Sequence, residues 1–89
     1  MIDTAFVRFP VAIRVRGRSR SQTYIEIQAG LMPPPVRIRG RATAWPAYEL
    51  DALNRAEIAG ASDDEIRALV RELLARRKTL LFPIEQVAS

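Results

Sequence analysis

The chain contains neither histidine nor cysteine. Histidine is the commonest general base, the commonest metal ligand and the partner in Ser-His and Cys-His nucleophile pairs, so its absence removes all three at once. Without cysteine there is no disulfide and no thiolate metal site, which fits a reducing compartment. Carboxylates alone can run acid–base chemistry only when two are held apart in a pocket, and the acids here gather at helix starts. The sequence therefore predicts a protein that is not an enzyme and carries no metal or cofactor. No apolar run approaches the roughly 20 residues of a membrane span, and no signal-peptide pattern opens the chain. A cytoplasmic protein with no membrane partner is the expectation.

Aromatic residues are few (one Trp, two Tyr, three Phe), but aliphatic residues are plentiful enough for a core. At 89 residues the chain is expected to form one domain over 1–82, near the size where a single core is only marginally stabilising, with a flexible tail at 83–89.

The net charge of +4 hides a segregated pattern. Residues 8–41 carry eight arginines (Arg8, Arg14, Arg16, Arg18, Arg20, Arg37, Arg39 and Arg41) against the single acid Glu26. Residues 46–66 reverse the sign, with Glu49, Asp51, Glu57, Asp63, Asp64 and Glu65 against Arg55. Residues 67–78 are basic again through Arg67, Arg71, Arg76, Arg77 and Lys78. Arginine forks onto phosphates and guanine edges in a way lysine cannot, so an arginine-rich half points to nucleic acid.

Local signals give the elements. Ser62 and Glu65 form a capping-box pattern ahead of Ile66, Leu69, Val70, Leu73 and Leu74 at helical spacing, which predicts a helix over 62–79. Pro46 suits the first turn of a helix over 46–58 that Gly60 ends. Ser19 as cap, Gln22 as its reciprocal partner and Gly30 as a left-handed stop predict a helix over 20–29 with Tyr24, Ile25, Ile27 and Leu31 as its apolar stripe. Pro33–Pro35 force extended chain, and Val36-Arg37-Ile38 then alternates like a half-buried strand. A turn at Arg39-Gly40-Arg41 and a return through Ala42–Trp45 predict a hairpin over 36–45, with Trp45 as a core anchor. At the N-terminus two signals conflict. Val7, Phe9, Val11, Ile13 and Val15 alternate with period two, as a strand does, whereas Pro10 and Gly17 suit the start and end of a helix.

A helix, a tight turn, a capped helix and a basic hairpin have the layout of a winged helix-turn-helix. The stretch FVRFPVAIRVRGRSRSQTYIEIQAGLMPPPVRIRGRATAWPAYELDAL resembles the AlpA-type phage regulatory proteins, small excisionase-like winged-helix proteins of bacteria and prophages. The resemblance is carried by Gly17, Ser19, Arg20, Ser21 and Tyr24, then Met32-Pro33 and Pro35-Val36-Arg37-Ile38. Gly40-Arg41, Ala44-Trp45 and Glu49-Leu50-Asp51 continue it, so that it covers residues 6 to about 58. It implies that residues 10–16 are helical despite their period-two pattern. It also implies a MerR-like DNA-binding fold and a role in transcription or phage excision. Arg18, Thr23, Ile25 and Glu26 depart from the family pattern, which leaves open which side chains of helix 20–29 reach bases.

The expected fold is thus mostly α with a small β-hairpin, a winged helix-turn-helix with an additional C-terminal helix. The expected partner is double-stranded DNA, read in the major groove by Arg18, Ser19, Arg20, Ser21, Gln22 and Thr23. Arg37, Arg39 and Arg41 would grip backbone or minor groove, with Arg14 and Arg16 as further phosphate contacts. The alternative is a protein-interaction adaptor whose C-terminal helix binds a second copy or another regulatory protein. Its seam would be Ile66, Leu69, Val70, Leu73, Leu80 and Leu81, although core packing also accounts for that stripe. Leu80, Leu81 and Phe82 lie beyond the stripe and are expected to be exposed. RNA binding is a weaker option, since Tyr24 and Tyr48 do not share a strand.

Overall fold

Both signals at the N-terminus are obeyed, over different residues. In the computed structural model, which describes residues 3–81, the alternating pattern forms strand β1 only over Phe6–Arg8. The chain then turns directly into helix α1, Phe9–Val15, whose first turn contains Pro10. Proline has a fixed φ suited to a helix start and lacks an N–H that would have no helical partner there, so it opens the helix where periodicity alone would continue the strand. Helix α1 buries Ala12 and closes on Gly17 at φ 66°. The N–H groups of Gly17 and Arg18 return to the carbonyls of Arg14 and Ile13 at 3.0 and 2.8 Å. A residue with a Cβ would be strained in this left-handed position.

Helix α2 (Arg20–Gln28) follows after four residues, then the hairpin strands β2 (Val36–Arg39) and β3 (Ala42–Pro46), helix α3 (Ala47–Ile58) and helix α4 (Asp63–Thr79). The sheet is antiparallel with order β1-β3-β2. Val7 pairs with Trp45 and Val36 with Ala44, and an irregularity falls between Arg37 and Arg39. The four expected helices and the expected hairpin are present, and β1 adds a third strand, which makes a mixed α/β arrangement of four helices and three strands. Helix boundaries lie within two residues of those expected. Phe82 and the tail expected at 83–89 lie outside the described residues.

The segment leading into β1 also solves a problem at the start of α3. Pro46 offers no side-chain cap there, and the N–H groups of Ala47 and Tyr48 donate instead to the carbonyls of Ala5 and Asp3 at 2.8 and 2.9 Å. Trp45, completely buried, is the hub of a core made with Ala12, Met32, Leu50, Leu53, Ile66, Val70 and Leu73. Its indole Nε1 donates to the Pro33 carbonyl at 2.7 Å. Arg77 Nη2 donates to the next carbonyl, Pro34, at 2.9 Å. The proline run is thus tied down at both carbonyls, and it fixes the direction in which the chain leaves α2.

Arg77 also forks onto the fully buried Glu49 through two 2.7 Å bonds, joining the last turns of α4 to the first turn of α3. A carboxylate can be buried at this depth because both its oxygens meet charge-assisted donors and it lies at the positive end of the α3 dipole. Glu49, counted in the sequence among the acids of residues 46–66, lies inside the protein.

Candidate nucleic-acid interface

The turn between α1 and α2 is held from behind by charge. Arg16, expected as a phosphate contact, is instead buried, with its guanidinium bonded to Asn54 and Glu57 of α3. Asn54 returns a bond from Nδ2 to the Val15 carbonyl at 3.1 Å. Arg18, expected to read bases, bonds Glu26 at 2.7 Å, both oxygens of Glu57 at 2.9 and 2.8 Å and the Arg16 carbonyl at 2.8 Å. Both arginines are corrected to a positioning role, because Arg16 is buried and the guanidinium of Arg18 is occupied internally. The hydrogen bond to Glu57, then that to Glu26, raises the Arg18 pKa against the opposing effect of burial. Burial pushes Glu57 upward, but the bonds and charges of Arg18 and Arg16 outweigh it and leave its carboxyl below the ordinary value.

Helix α2 begins as its residues dictate. Ser19 Oγ accepts from the Gln22 N–H at 3.1 Å. The reciprocal half of the expected capping box is missing, because Gln22 Nε2 points to Glu26 Oε2 at 3.3 Å. Thr23, expected at the bases, is corrected to a core position: it is 2% exposed, and its hydroxyl donates to the Ser19 carbonyl at 2.9 Å. Glu26 is buried beside it. Tyr24 and Ile25, expected in the apolar stripe, are 52% and 60% exposed. Ile27 and Leu31, the rest of that stripe, pack against the core as expected, so the inversion is confined to residues 23–26, with two polar side chains inside and two large apolar ones outside. Arg67 of α4 closes its far end by donating from Nε to the Ala29 carbonyl at 2.9 Å.

What remains outward is basic. Arg20, Ser21 and Gln22 are exposed at the start of α2. Arg20 lies over the Phe9 ring at 4.6 Å, a cation–π contact that limits its wandering. Phe9 in turn rests on Tyr24 and Trp45 at 5.5 and 5.4 Å between ring centroids. On the hairpin Arg37, Arg39 and Arg41 are exposed while Val36 and Ile38 are half-buried, as the alternation predicted. Arg8 and Arg14 are exposed as well. Between residues 8 and 41 the only acid in the sequence is Glu26, and it is turned inward onto Arg18. This segment therefore displays six arginines and no surface carboxylate.

The signal for the inversion was present in the sequence. Thr23, Glu26, Ile27 and Gly30 share one helical stripe, and Glu26 is the lone acid among arginines eight residues from Arg18. The arginine-to-α3 bonds had no local signal, since their partners lie 38 and 39 residues away.

The expected dimer seam divides. Ile66, Val70 and Leu73 are buried in the core and Leu69 packs partly against it, so these four are corrected to core residues. Leu80 and Leu81 are exposed, at 46% and 78%. Leu80 borders an apolar recess with Phe6, Val36, Pro46 and Tyr48. Among the described residues no helix is long and apolar enough to cross a membrane.

Comparison of the chain with protein-family models, with curated proteins and with solved structures returns no match.

Proposed function

We propose that the protein is a sequence-specific double-stranded DNA-binding regulator of the winged helix-turn-helix type, without catalysis, acting in transcription or in excisionase-like control. The observation that carries this reading is the acid-free surface of residues 8–41 with its six exposed arginines. Five of those arginines lie on two units, the α1–turn–α2 pair and the β2–β3 hairpin, and the sixth, Arg8, ends strand β1. The layout matches a helix entering the major groove with a wing on the neighbouring backbone. The resemblance of residues 6–58 to AlpA-type regulators supports the same reading.

In this reading Arg20, Ser21 and Gln22 approach the bases. Arg37, Arg39 and Arg41 hold the backbone or minor groove, and Arg8 and Arg14 supply further phosphate contacts. Arg16 and Arg18 act indirectly, by clamping the turn to α3. The test is a pair of variants measured against sites selected from random DNA. Replacing Arg39 and Arg41 by alanine should weaken binding to every sequence alike, while Gln22→Ala should relax sequence preference at one position by roughly 1–3 kcal/mol. Equal, sequence-independent effects from both variants would contradict base reading by α2.

A second reading, self-association or capture of another protein, is favoured only by the recess beside Phe6 and Leu80. It predicts concentration-dependent mass in solution and no DNA retained at physiological salt.

A further inference from the structure

Helix α2 has an outer face that the polar residues at its start do not account for. Around the helix, Ser21, Tyr24, Ile25 and Gln28 lie opposite the buried Thr23 and Glu26, and all four are exposed. Ile25 is 60% exposed and Tyr24 52%. Large apolar side chains standing out on a helix that has polar ones available are informative, because the reverse arrangement would bury more apolar surface.

We infer that Ile25, flanked by Tyr24, is a specificity-determining residue that contacts the C5-methyl group of thymine in the major groove. This rests on the DNA-binding reading above. The surroundings of this face favour a DNA occupant over a protein one, since residues 8–41 expose six arginines and no carboxylate. The face itself carries no charge, and the one acid of α2, Glu26, is turned away and held by Arg18 at 2.7 Å. Arg20 borders the face, fixed over Phe9 at 4.6 Å, and supplies the cation that an apolar protein contact would not need. Tyr24 leans on the same Phe9 ring at 5.5 Å, so one aromatic holds both neighbours of the outer face in place. In the major groove thymine alone among the four bases offers a methyl group, and an aliphatic side chain meets it without a hydrogen-bond partner. The inversion of α2 then has a use: Thr23 and Glu26 fix the helix from within, and Ile25 is left free to discriminate.

The test uses a duplex selected from random DNA, with each thymine replaced in turn by uracil, which differs only by that methyl. The full chain should lose about fourfold in affinity at one or two positions, the value of a methyl group kept out of water. Ile25→Ala should bind the thymine duplex as weakly as the native chain binds the uracil duplex, and should no longer distinguish the two. Ile25 is exposed, so its replacement leaves the fold intact, checked by an unchanged thermal transition. DNA binding that is equally strong with thymine and uracil everywhere, or a selected site without thymine under α2, would overturn this inference and leave the DNA-binding reading standing. Absence of DNA binding at any salt concentration would overturn both. Loss of self-association in Ile25→Ala, with thymine and uracil still distinguished as in the native chain, would assign the face to a second copy and also overturn it.

Discussion

Helices α2 and α4 were read by the same rules, and only α4 obeys them throughout. Helix α4 has its complete capping box between Ser62 and Glu65, and it buries Ile66, Val70 and Leu73 as their spacing demands. Helix α2 has its Ser19 cap, yet it buries Thr23 and Glu26 and exposes Tyr24 and Ile25. The two helices meet different demands. Helix α4 completes a core that a chain of this size could not otherwise close. Helix α2 is held by Ile27 against the core, by the Glu26–Arg18 pair and by Arg67 at its end, so its outer face is released from packing. Departures from local pattern of this kind are expected where a helix serves a surface function.

The largest effect that would sharpen this contrast is at the buried pair of the α3–α4 half. Glu49→Ala leaves Arg77 without its carboxylate beneath the Pro33–Pro35 run, and it should destabilise the protein by about 3–5 kcal/mol. In a chain this small that would abolish cooperative unfolding at ambient temperature. The exposed Asp51–Arg55 pair one turn further on is the control, since losing it should cost under about 1 kcal/mol in urea denaturation. A second comparison sets isoleucine against isoleucine. Ile66→Ala, in the α4 stripe, should cost about 2–5 kcal/mol, whereas Ile25→Ala should stay within about 0.5 kcal/mol of the native chain. Similar losses at both sites would mean that the α2 outer face is packed after all.

The smallest effect concerns the clamp on the turn. The Glu57 pKa is lowered in the folded protein, so its contribution to stability is complete above the unfolded carboxylate value, about 4.3. It is lost as pH falls through the lower, folded value. Stability should therefore decline below about pH 4, with Glu65, lowered by its bonds to Ser62, contributing to the same decline. Glu57→Gln should remove part of that slope. At neutral pH it should cost about 1–3 kcal/mol, because Glu57 is 36% exposed but its partner Arg16 is buried and would lose its carboxylate. Thermal melts from pH 3 to 7 would check both.

Much of this fold was legible because its signals are local. Ser19, Gly17, Gly30 and the Ser62–Glu65 pair act on backbone groups a few residues away, and the structure uses each where the sequence placed it, whereas Pro46 ends β3 instead of entering the first turn of α3. The hairpin and the Trp45 anchor follow from alternation and from a lone large aromatic at a strand-to-helix junction. Strand β1 was legible only as one side of a conflict, because the period-two pattern that begins at Val7 runs on unbroken through Phe9, Val11, Ile13 and Val15 of the helix that follows. The candidate site was legible as a charge pattern but not residue by residue. Which arginines face outward depends on pairings across 38 or 39 residues: Arg16 and Arg18 find Asn54 and Glu57, and Arg77 finds Glu49 across 28. No periodicity encodes such partners, so a sequence reading counts every arginine as available.

The central claim is that the acid-free face of residues 8–41 binds the DNA backbone. It is tested most directly by measuring affinity for duplex DNA as a function of salt concentration. With about four to six phosphates neutralised, the plot of log affinity against log salt should have a slope of roughly −4 to −5, and it should become shallower by about 2 when Arg39 and Arg41 are both replaced by alanine. A flat dependence on salt, or a slope that the double variant leaves unchanged, would contradict the account.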